Sequence, residues 1–70
     1  MNYNILMIGK RIQKLRKEKG LTQEQLADRL NISTVHLAKI ETGKRSCSMD
    51  TLIGISAFFS ASLVFHPDSF

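Results

Sequence analysis

LTQEQLADRLNISTVHLAKIE, residues 21–41, reads as two short helices joined by a tight turn. Thr22 opens the first: its hydroxyl accepts from the backbone amide of Gln25 while the Gln25 side chain reaches back to Thr22, a reciprocal capping box. Leu26, Ala27 and Leu30 then share one face at helical spacing. Asn31 tolerates the left-handed backbone that stops a helix. Ser33 caps a second helix running from Thr34 to about Thr42, and Gly43 closes it. So short a connection makes the two helices cross at a steep angle. At about 100° per residue, Leu37, Ile40 and Glu41 point toward a core, whereas Thr34, Val35, Ala38, Lys39 and Thr42 point away from it. The outward set combines a methyl-bearing hydroxyl, a branched apolar group, a small residue and a cation, which suits the edges of base pairs in a major groove. Any surface helix carries an outward face, so this one acquires meaning from its surroundings.

Those surroundings carry a resemblance. Residues 9–59, GKRIQKLRKEKGLTQEQLADRLNISTVHLAKIETGKRSCSMDTLIGISAFF, closely resemble the helix-turn-helix domain of the Cro and phage-repressor type, also called the xenobiotic-response-element family. LTQEQLA, LNIS, KIETGKR and SMDTL each match that family's pattern at its spacing. The resemblance implies an all-α, lambda-repressor-like fold of four to five short helices, and sequence-specific binding to double-stranded DNA. On this reading residues 1–59 form the DNA-binding domain and residues 60–70 an atypical apolar tail.

Composition agrees with that expectation. Seventy residues allow one domain with a small core, marginal unless a metal, disulfides or a partner chain assist. A single cysteine, Cys47, excludes an intramolecular disulfide and a multi-cysteine zinc site. The apolar opening Ile5–Ile8 is too short for a signal peptide and is followed, not preceded, by basic residues. No stretch has the length to span a membrane, so a cytoplasmic protein is expected. All ten lysines and arginines lie between Lys10 and Arg45, accompanied by Glu18, Glu24, Asp28 and Glu41, whereas residues 46–70 hold only the charges of Asp50 and Asp68. A basic body with an apolar, mildly acidic tail points to a polyanion at one end and protein contact at the other.

Along the chain, Asn4 caps a helix in which Ile5, Ile8, Ile12 and Leu15 recur on one face while Lys10, Arg11, Lys14 and Lys17 lie on or near the other. Gly20 ends it. By resemblance, Arg16 pairs with Glu41 and fixes the recognition helix against the first helix; an unpaired carboxylate on that inward face would be costly. Gln23, at the start of the helix that lies across the DNA backbone in this family, is a phosphate candidate. Thr34, Val35, Ala38 and Lys39 are the base-facing candidates, with Lys39 reaching guanine acceptors and Thr34 or Val35 touching a thymine methyl. His36 sits between the two faces, able to donate to a phosphate or to pack on the preceding helix. Lys44 and Arg45, in the loop after Gly43, and Arg11 complete the phosphate set. Cys47 reads as a bystander. Ser48 caps a fourth helix with Leu52, Ile55, Ser56 and Phe59 inward, and Gly54 inside it suggests a close helix contact.

The tail departs from the family. Relatives turn on glycine or asparagine and then add a polar-studded fifth helix; here Ser60 to His66 are followed by Pro67, which stops a helix within about a turn. Ile53, Phe58, Leu63, Val64 and Phe65 exceed what so small a core buries, and exposed apolar surface marks interfaces. A homodimer presenting two recognition helices about 34 Å apart to a palindromic operator is the leading expectation, with repression by operator occupancy. The alternative is an antitoxin-like module whose tail binds another protein. No catalytic constellation, cofactor signature, metal spacing or small-molecule site is evident, so an enzyme is not expected.

Overall fold

Each helix of the chain starts where a short polar side chain satisfies amides that the first turn leaves open. In the computed structural model, which describes residues 4–60, α1 spans Ile5–Glu18, α2 Gln23–Leu30, α3 Thr34–Glu41 and α4 Met49–Phe59. Asn4 Oδ1 accepts from the amides of Leu6 and Met7 at 2.9 and 3.2 Å. At α2 both halves of the capping box form, Gln25 N donating to Thr22 Oγ1 at 3.0 Å and Thr22 N to Gln25 Oε1 at 2.8 Å. Ser33 and Ser48 cap α3 and α4 with the first of these bonds alone, their hydroxyls accepting from the amides of His36 and Thr51.

The stops are as local as the starts. Gly20, Asn31 and Gly43 adopt positive φ of 70°, 59° and 76°. After each, the next residue's amide reaches back to a carbonyl of the last turn: Leu21 to Arg16, Ile32 to Ala27, Lys44 to Lys39. These are Schellman closures, which satisfy carbonyls the helix itself cannot. Ser60 also turns left-handed, at φ 52°, after α4.

Ile12, Leu26, Ala27, Leu37, Ile40, Ile55 and Phe59 form the buried core, one or two from each helix, with Ile8, Leu15, Leu21, Leu30, Ile32, Cys47, Leu52 and Phe58 packed around it. Each fully buried isoleucine or leucine contributes about 1.5–3 kcal/mol over its exposed state. α3 packs against both α1 and α2, and α4 closes the open side against α2.

Two expectations change. Ile5 belongs by spacing to the buried stripe of α1 but is 43% exposed, because it lines an open recess with Ile8, Met49 and Leu52 that no side chain fills. Gly54 marks no close contact: a Cβ placed there meets nothing within 4 Å. Gly9 does mark one, where α1 crosses the end of α3; a Cβ on it would overlap the Ile40 carbonyl oxygen and lie 2.8 Å from that of Glu41. Phe58, expected at a dimer surface, is half-buried in the single chain, edge-on to Phe59 with ring centroids 5.0 Å apart and with the Arg29 guanidinium 5.7 Å above its ring, which leaves part of it accessible. The fifth-helix question and Leu63, Val64 and Phe65 lie outside the described residues.

Candidate nucleic-acid interface

The junction of α1, α2 and α3 is polar and nearly closed to water. Arg16 Nε donates to Glu41 Oε2 at 2.7 Å and Arg16 Nη2 to Glu41 Oε1 at 3.1 Å. Nη1 of the same arginine donates to the Leu21 carbonyl at 2.8 Å, binding the loop that leads into α2. Both side chains are buried. A forked, charge-assisted pair in which each guanidinium nitrogen has an acceptor is the geometry in which such burial is tolerated, and removing one member strands the other.

Gln23 joins this junction. Its Nε2 donates to Glu41 Oε1 at 3.0 Å, so one of the two amide hydrogens expected at a phosphate is engaged inside the protein. Gln23 Nε2 makes no other hydrogen bond among the described residues, and Gln23 opens α2, where a helix start leaves backbone amides free.

With Leu37, Ile40 and Glu41 turned inward, α3 presents Thr34, Val35 and Lys39 to solvent, Val35 being 65% exposed. Ala38 is half-buried between them and His36 is half-buried at the edge of the face. A branched apolar side chain so exposed gains nothing in the isolated molecule, and its neighbours offer a hydroxyl and an ammonium to hydrogen-bonding edges. Lys44 and Arg45 stand exposed just beyond α3, and both their amides donate to the Lys39 carbonyl, at 2.8 and 3.3 Å. The basic loop is therefore fixed in position relative to the outward face of α3. Arg11 is half-buried, and its Nε is shielded with no acceptor among the described residues; it is less free than a solvated surface cation.

Burial pushes the Cys47 thiol up from its usual value, which keeps it protonated and unreactive at neutral pH. Among the described residues no group of three or more His, Cys, Asp or Glu side chains is placed to hold a metal ion, and no helix is long and apolar enough to cross a membrane.

Sequence reasoning missed the Gln23–Glu41 bond. Its signal is a glutamine at the first position of one helix and a glutamate ending the next, meaningful only once the crossing angle of the pair is known.

Residues 12–65 match the helix-turn-helix family HTH_3. The chain is 44% identical over 55 residues to the HTH-type transcriptional activator BcrR of Enterococcus faecalis, covering 79% of this chain and 27% of that protein. It is 41% identical over 51 residues to the immunity repressor protein of Bacillus phage phi105, covering 73% of this chain and 35% of the repressor. It thus spans about a quarter to a third of these relatives' lengths. Among solved structures, that of SinR, the master regulator for biofilm formation, in complex with DNA superposes with a TM-score of 0.73 at 34% identity, covering 81% of this chain and 92% of that one. Helix order, the α2–α3 turn and the extent of the match agree: the chain is a member of the HTH_3 helix-turn-helix family, of the Cro and phage-repressor type.

Proposed function

We propose that this chain is a transcriptional regulator that binds double-stranded DNA with α3 in the major groove, acting as a repressor by occupying a palindromic operator as a homodimer. The observation that carries this reading is the exposed face of α3, with Thr34, Val35 and Lys39 free of the core while Glu41 on the opposite side is clamped by Arg16. A helix held so firmly with an unoccupied, chemically mixed face is suited to reading base edges. Lys44, Arg45 and the remaining Gln23 hydrogen supply backbone contacts beside it, which set register without reading sequence. Dimerisation finds support in α4, where Met49 and Ile53 are 64% and 59% exposed, and in an apolar recess of about 210 Å³ lined by Ile5, Ile8, Met49 and Leu52. The names of the two relatives, one an activator and one a repressor, differ in the direction of control. We favour repression because operator occupancy needs no further surface.

Selection from random duplexes tests this reading. The wild type is expected to enrich a two-fold symmetric sequence with half-sites about one helical turn apart. Lys39→Ala should lose about 1–3 kcal/mol on that sequence and relax one base position, whereas Lys44→Ala should weaken all sequences alike and flatten the salt dependence by about one unit. Failure to enrich any sequence would sink the proposal.

A further inference from the structure

Glu41 stands where three helices meet. It belongs to α3, and its carboxylate receives Arg16 of α1 and Gln23 of α2, with Oε1 shared between Arg16 Nη2 at 3.1 Å and Gln23 Nε2 at 3.0 Å. The arginine alone would satisfy the charge. The glutamine bond therefore needs a separate account, because tying down a long side chain at a helix start costs rotamer freedom that a merely solvated glutamine would keep.

We propose that Glu41 is a positioning residue for the DNA-backbone contact of Gln23. The carboxylate takes one amide hydrogen and so fixes the side chain, leaving the other hydrogen beside the open first-turn amides of α2, where a phosphate oxygen would be received. This role rests on the DNA-binding reading above and adds a consequence to it. The grip of α2 on the backbone is assembled only when α3 is seated, because one carboxylate does both jobs. Ordering the donor before DNA arrives also removes part of the cost of binding.

Two readouts separate positioning from simple structural support. The first is a double-mutant cycle with Gln23→Ala, Glu41→Met and the pair, measured by equilibrium binding to the duplex the wild type selects. Loss of a hydrogen bond to a charged group predicts about a tenfold drop for Gln23→Ala in the wild-type background. In the Glu41→Met background, where residue 41 has no acceptor, the same change should cost less than about twofold, as the donor is then no longer aimed. An equal loss in both backgrounds overturns the proposal. The second readout is the side-chain amide of Gln23 by NMR in the free wild-type protein, which keeps the question open to disproof even if Glu41→Met unfolds. One of the two amide protons is expected downfield of its random-coil position and protected from solvent exchange by its carboxylate acceptor; a pair at random-coil shifts, exchanging as fast as in an exposed glutamine, overturns it. A wild type that binds no duplex overturns the DNA-binding reading and this role with it, whereas binding without coupling overturns this role alone.

Discussion

The α1–α3 unit and α4 are held by different kinds of force. Within α1–α3, directional bonds converge: Arg16 and Gln23 meet on Glu41, Arg16 also holds the Leu21 carbonyl, and Gly9 lets α1 touch the backbone of α3. α4 is attached through Ile55, Phe59 and the flank of Phe58 under Arg29, while the side-chain hydrogen bonds it makes among the described residues are those of its own Ser48 cap. Apolar contact is strong but non-directional, so it fixes proximity more than angle. Hydrogen-bonded ion pairs fix angle. The part of the molecule that would meet base edges is the part whose geometry is specified by direction, and the part with spare apolar surface is the part that tolerates adjustment.

The sharpest way to break this contrast is Arg16→Ala. It leaves the Glu41 carboxylate buried without its partner, and a loss of about 3–5 kcal/mol is expected, measured by urea denaturation. A variant that unfolds at the wild-type midpoint would show that the junction is ornamental. Next come the two glycines, whose replacement by alanine should act with opposite sign. Gly9→Ala is expected to cost about 1–3 kcal/mol, because the added methyl meets the carbonyls of Ile40 and Glu41 and the backbones must part. Gly54→Ala should add about 1 kcal/mol, since the site is open and alanine is the better helix former. Thermal melting of both, side by side, checks the pair. The smallest effect on folding belongs to Ile53→Lys, within about 0.5 kcal/mol for an exposed position. In sedimentation, however, it should shift a dimer toward monomer; an unchanged oligomer would place the interface elsewhere.

What could be read from the sequence follows from how local each determinant is. Asn4, Thr22, Ser33 and Ser48 act within a few residues of themselves, as do Gly20, Asn31 and Gly43, so the helix ends were legible. The outward placement of Thr34, Val35 and Lys39 followed from periodicity. The pairing of Arg16 with Glu41 came from resemblance, because nothing in a linear pattern joins residues 25 apart. Gly9 and Gly54 look alike in sequence, each an isolated glycine after apolar residues within a helix; what separates them is the backbone opposite, which a linear sequence does not display. Ile5 shows the same limit in reverse, since periodicity names a face but not whether the elements opposite close against it.

The order in which these bonds can form during synthesis is written into where they lie. All four caps close as soon as a few residues are available, but the Arg16–Glu41 contact must wait for the intervening segment and pay a chain-closure entropy of about 3 kcal/mol. Once Glu41 has emerged, every partner in that junction is already made. A growing chain, which is extended from its N-terminus, thus holds all the residues that orient α3 before the first residue of α4 is added. The late helix has only to cover an arrangement whose angles are set, and alterations arising in its exposed face can change what the molecule associates with while leaving intact the surface that α3 presents.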